Sequence, residues 1–195
     1  MNNIMKLLKD NSKMGLIGAC AVWVVATIVS TIITLVKYDA NIAFNIIVTI
    51  IYVAIFGGIG VLVFLGIDNV AKILAIVAYF IWLLLCIVQV IQMFGHLDYY
   101  QIHTAIFETI ITALILSVLV LFIAWKFLNV SMAKDLIPLV LIAELLLSVV
   151  FTIINLIVIK HHDWALLPFD FLTTISTPLI FLFSFMYLFS DGKKQ

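Results

Sequence analysis

Six long apolar runs follow one another along the chain, parted by short polar breaks. Each matches the ~20 residues a helix needs to cross roughly 30 Å of hydrocarbon. They predict spans at 14–36, 42–66, 73–94, 104–125, 137–159 and 170–190. The alternation of a membrane β-barrel is absent. The expected fold is all-α, a polytopic membrane bundle of six transmembrane helices. Ahead of it, residues 1–13 put Ile4, Leu7 and Leu8 on one side and Lys6, Lys9 and Lys13 on another. That is the pattern of a short interfacial helix on an anionic inner leaflet. The run that follows is too long for a signal-peptide core and no A-x-A site follows it.

The polar breaks repeat. Lys13, Lys72 and Lys134 each precede a pair of spans, and Asp39, Asp98 and Asp163 each centre the turn inside a pair. The ends echo as well: Phe64-Leu65-Gly66, Phe127-Leu128-Asn129 and Leu188-Phe189-Ser190. Asn69-Val70-Ala71-Lys72 matches Ser131-Met132-Ala133-Lys134. This predicts three tandem helical hairpins in one orientation, about 13–71, 72–133 and 134–190, related by an axis along the membrane normal. An aspartate suits such turns because its side chain caps the next helix. Residues 191–195 are left as a polar tail.

Charge sets the orientation. With the N-terminus cytoplasmic, the inner segments hold Lys6, Lys9, Lys13, Lys72, Lys126, Lys134, Lys193 and Lys194, and the outer loops only Lys37 and Lys160. Both termini are therefore expected in the cytoplasm. A bacterial plasma membrane is the default location. The formal net charge of zero hides an inner face of eight lysines against Asp10, Asp68, Asp135 and Asp191.

Composition narrows the class further. The chain of 195 residues is 66% hydrophobic and 10% charged, against roughly 25% charged in a soluble domain. Its mean hydropathy is +1.34. All ten basic residues are lysine, which argues against nucleic acid as a partner. Cys20 and Cys86 lie inside apolar runs and form no CxxC. No nucleophile elbow, HExxH or Walker loop is present, and no histidine lies near the depth of Cys86. A non-enzyme without a cofactor is expected.

Candidate chemistry lies in polar groups within the spans. Asn45 and Thr49, Gln89 and Gln92, Thr104, Glu108 and Thr112, Glu144, Ser148, Thr152 and Asn155, and Thr173, Ser176 and Thr177 recur at spacings of three and four, on one face of each helix. Thr49, Glu108 and Thr173 each lie ten residues past a turn aspartate. The candidate polar cavity comprises Glu108, Glu144, Asn45, Gln89, Gln92, Thr152, Asn155 and Thr173. The competing reading is a set of interhelical hydrogen bonds, each worth about 0.6 kcal/mol.

The glutamates press harder, because an acidic group at the bilayer centre costs about 2.5–3.5 kcal/mol on insertion scales. Glu108 is expected one turn below the outer surface. Glu144 is expected two turns in from the cytoplasmic side, with no basic residue in any span to pair with. Protonation, water or a hydroxyl must satisfy it. The outer histidines, His96, His103, His161 and His162, match no tight zinc motif and read as loop residues. Tyr38, Tyr99, Tyr100, Trp125 and Trp164 belong to interfacial belts. Gly15, Gly18 and Ala19 should meet Gly57, Gly58 and Gly60, closing the first hairpin.

Two function classes remain. One is a transport or permeation component for a small solute, proton or cation. The other is an accessory, immunity or assembly protein binding another membrane protein. Besides the lipid bilayer, the expected partners are another membrane protein or a second copy of the chain.

Overall fold

The computed structural model describes residues 2–37, 42–95, 102–158 and 164–189, without the side chains of 2–5, 103, 155, 156 and 158. The turns at Asp39, Asp98 and Asp163, with Tyr38, Tyr99, Tyr100, Lys160, His96, His161 and His162, lie outside the described residues, as does the tail 191–195.

The regular structure among the described residues is helical: α1 (Asn2–Asp10), α2 (Ser12–Lys37), α3 (Ile42–Phe64), α4 (Asp68–Gly95), α5 (Ile102–Phe127), α6 (Ser131–Val158) and α7 (Leu167–Ser184). A π-helical turn, Phe185–Phe189, continues α7. Six of the helices are long and apolar enough to cross a membrane. The chain is an all-helical, multi-pass membrane protein, as its apolar runs predict. α4 and α6 begin five and six residues before those runs do, at Asp68 and Ser131, because hydropathy registers the apolar part of a helix and misses its polar first turn.

What starts them is turn chemistry. α3 ends with Gly66 at φ 76°. The Ile67 N–H donates to the Leu62 carbonyl at 2.8 Å and the Gly66 N–H to the Val63 carbonyl at 3.2 Å. This pair of bonds closes a helix end when the residue after it is left-handed, which glycine adopts freely. Asp68 then opens α4, its charge favourable at a helix N-terminus. α5 ends similarly. Asn129 takes φ 56°, a conformation asparagine tolerates better than most residues, and the Val130 N–H reaches back to the Ala124 carbonyl at 3.1 Å.

The chain divides into two compact units. The first comprises residues 1–78 and 160–195, the second Tyr79–Ile159. In the first unit α2 packs against α3 on one side and α7 on the other. Leu16, Ile59, Val63 and Ile180 are fully buried there, and aromatic rings fill the middle. Trp23 lies against Phe56 with centroids 4.4 Å apart and the rings tilted by 35°, and meets Tyr52 edge-on at 6.2 Å. Phe56 in turn meets Phe181 at 6.2 Å.

The Trp23 Nε1–H donates to Thr177 Oγ1 at 3.0 Å, in a buried bond joining α2 to α7. Thr177→Val would bury that N–H without an acceptor, and a loss of about 1–3 kcal/mol is expected. Thermal unfolding in detergent measures it; an unchanged midpoint would show the bond to be worth nothing.

Small residues set the helix spacing, though not all as the sequence implied. A Cβ on Gly60 would lie 2.9 Å from Cys20 Cβ, and one on Gly57 3.2 Å from Val24 Cγ2, so α2 and α3 do close tightly here. Gly15 instead faces α7, its would-be Cβ 2.7 Å from the Phe183 ring, and Gly18 has nothing within 4 Å. Gly58 meets Leu74 of α4. The small residues expected to close one hairpin thus serve three helix pairs, α2 with α3, α2 with α7 and α3 with α4.

Pro178 lies inside α7. It leaves the Thr174 carbonyl without its usual donor. The Ser176 and Thr177 hydroxyls donate to the Leu172 and Thr173 carbonyls, two places and one place short of it. Beyond, the Tyr187 hydroxyl in the π turn donates to the Asp68 carboxylate at 3.1 Å, and Lys13 Nζ lies 5.9 Å above the same ring. The starts of α2 and α4 thereby meet the end of α7.

Candidate functional site

The second unit is built from α4 beyond Tyr79, with α5 and α6 packed on each other. Its apolar core is Leu83 and Cys86 from α4, Ile111 and Ile115 from α5, and Phe151 from α6, with Tyr79, Trp82, Ile87, Phe107 and Leu119 around it. Phe107 and Phe151 stack at 5.2 Å. Each contributing helix repeats at three or four residues, so one face of each is turned inward.

Polar groups share these faces. Glu144 is only 2% exposed, and its Oε2 has no hydrogen-bond partner among the described residues. The same holds for Thr112 Oγ1 and Trp82 Nε1. Ser148, one turn along α6 from Glu144, is buried. Tyr79 and Cys86 of α4 lie within electrostatic reach of Glu144, and Cys86 also of Glu108. The Tyr79 hydroxyl donates to the Ile115 carbonyl. Buried polar atoms normally find partners. Three atoms without one lie in this unit, and among the described residues Thr27 Oγ1 and Ser184 Oγ are likewise unpartnered in the first.

Glu144 also stands far from either end of its helix. It is the midpoint of α6 (Ser131–Val158), about 20 Å along the axis from either end. Counted along the helix it is more than three turns from Ser131, because α6 starts six residues before the apolar run does. Glu108 is half-buried, less than two turns from the start of α5. Lys126 and Lys134 belong to the same unit, near the α5–α6 turn. There Trp125 holds both, with Nζ 3.8 and 5.7 Å from its ring.

The other candidate residues do not share this core. Gln89 and Gln92 are exposed on α4, and Thr152 donates to the Ser148 carbonyl of its own helix at 2.8 Å. The Asn155 side chain is outside the described residues. In the first unit, Asn45 is half-buried on α3. Its neighbour one turn on, Thr49, shares a hydrogen bond of 2.8 Å with Thr31. Thr173 donates to the Asp170 carbonyl at 2.9 Å. These hydroxyls behave as threonines in membrane helices commonly do, bonding their own backbone or one neighbour.

Sequence reading missed Tyr79 and Trp82. The available signal was the period: Trp82 lies ten residues past Lys72, as Trp23 does past Lys13. No three histidine, cysteine, aspartate or glutamate side chains gather around one possible metal position among the described residues. Comparison with protein-family models, curated proteins and solved structures finds no match to this chain.

Proposed function

We propose that the protein is a transport or permeation component for a small solute, a proton or a cation, and that α4, α5 and α6 carry the pathway. The observation behind this is Glu144, an acidic group at mid-helix with an unpartnered oxygen. Intramembrane carboxylates of that kind are costly and usually mark an ion or proton route. The lysine bias supports a plasma membrane setting with both termini cytoplasmic. The exposed Lys6, Leu7 and Lys9 of α1 suit an anionic inner leaflet.

Reconstitution into vesicles tests the reading. Movement of protons, alkali cations or small neutral solutes above protein-free vesicles is expected; absence of all three would sink it. The orientation has its own measurement. Cysteines placed at Asp98 and Asp163 should react with an impermeant reagent from outside intact cells, and labelling from inside alone would reverse the topology.

A second reading, binding to another membrane protein, draws on Gln89 and Gln92, exposed on α4. Amides there would be satisfied by a neighbouring helix. Gln89→Leu with Gln92→Leu should then lose a partner recovered with the wild type from native membrane, whereas flux would be unaffected.

A further inference from the structure

Counted from its lysine, each of α2, α4 and α6 buries the same places. One residue before the lysine these are Ser12, Ala71 and Ala133, and three after it Leu16, Ala75 and Ile137. Seventeen residues past the turn aspartates, α3, α5 and α7 bury Phe56, Ile115 and Ile180. Gly66 and Asn129, at matching ends, share the left-handed backbone. Ten residues past the lysines, near the middle of each helix, stand Trp23, Trp82 and Glu144. Glu144 thus occupies a tryptophan's place.

What Trp23 does there indicates what Glu144 does. Trp23 donates to Thr177, fourteen residues past Asp163. Fourteen past Asp98 is Thr112, whose hydroxyl oxygen is orphaned like Glu144 Oε2. α6 packs against α5 as α2 packs against α7. We propose that Glu144 and Thr112 form a proton-binding site, in which the protonated carboxyl donates to Thr112 Oγ1 in the position of the Trp23–Thr177 bond.

The proposal rests on the permeation reading and narrows its ligand to a proton. One proton taken from water turns the carboxylate into a neutral carboxyl, and its loss restores the charge. A hard metal cation would want six or more oxygens. Here the same unit offers the Thr112 hydroxyl by register and the buried Ser148 one turn along α6, the Tyr79 hydroxyl donates to the Ile115 carbonyl, and the core of the unit is Leu83, Cys86, Ile111, Ile115 and Phe151. Among the described residues, the titratable groups within reach of Glu144 are Tyr79 and Cys86 from α4, with Glu108 on α5 within reach of Cys86. None carries a positive charge.

Infrared spectroscopy of the full chain in lipid vesicles tests this directly. A protonated-carboxyl C=O band should persist at a pH where ordinary carboxylates are ionised. It should vanish in Glu144→Gln, shift in Thr112→Val toward a carboxyl without a hydrogen-bonded partner, and return in Thr112→Ser. No such band, or a band indifferent to Thr112→Val, overturns the site. Loss of the band on adding sodium or potassium at fixed pH also overturns it, in favour of a cation. If the band behaves as expected but wild-type vesicles pass no protons, the site stands and the permeation reading falls.

Discussion

Glu144→Gln is expected to reduce flux through reconstituted vesicles to background while the protein stays folded, and Glu144→Leu to do the same without loss of stability. Glutamine keeps the shape but neither binds nor releases a proton. Leucine removes the bond proposed to Thr112, whose hydroxyl can turn to a carbonyl of its own helix, and with it a buried carboxyl whose desolvation is costly. It also adds apolar surface to a core already lined by Leu83, Ile111, Ile115 and Phe151. The Glu144→Leu unfolding midpoint should therefore match or exceed that of the wild type. Glu108→Gln should act more mildly, because Glu108 is half-buried and near a helix end. A marked fall in the midpoint of Glu144→Leu would show that the carboxyl holds the core together, and the functional reading would lose its main support.

Gly60→Ala should destabilise the first unit by about 1–3 kcal/mol, the usual cost of overpacking a filled interior. The obstacle is Cys20 Cβ at 2.9 Å, an atom tied to its backbone. It yields only if α2 and α3 move apart, which would also disturb Trp23 against Phe56 at 4.4 Å. Gly18→Ala is the control. It meets nothing within 4 Å and should gain about 0.5–1 kcal/mol from helix propensity. Gly15→Ala falls between them, since its obstacle is the outer edge of the Phe183 ring, which can swing aside. Unfolding in detergent ranks the three. Equal midpoints for Gly60→Ala and Gly18→Ala would mean that close approach of α2 and α3 carries no energy.

The same glycines show where reading the sequence stops. Small residues near one helix end imply close packing, and Gly57 and Gly60 do pack on α2. Nothing local distinguishes Gly15, which serves α7, from Gly18, which serves nothing. Likewise Gln89, Gln92 and Glu108 share the three-and-four spacing, yet Glu108 is half-buried and both glutamines are exposed. In water a buried face is marked by its apolar residues. In a membrane both faces are apolar, so the contrast that would mark the inside is missing.

By itself, the sequence determined the all-helical class, the six spans and the breaks that follow at Gly66 and Asn129. Hydropathy over twenty residues and turn conformation over four are local properties, fixed by the residues that carry them. It also displayed the lysine and aspartate period that sets Trp23, Trp82 and Glu144 in register. Only the tertiary structure decided that α2 lies between α3 and α7, that Glu144 is a mid-helix group sealed in an apolar core, and that its oxygen and the Thr112 hydroxyl are both left without partners. Those outcomes depend on which faces of distant helices meet. Between apolar helices in lipid, side-chain fit and a few hydrogen bonds settle that meeting, and they exist only once the chain has folded.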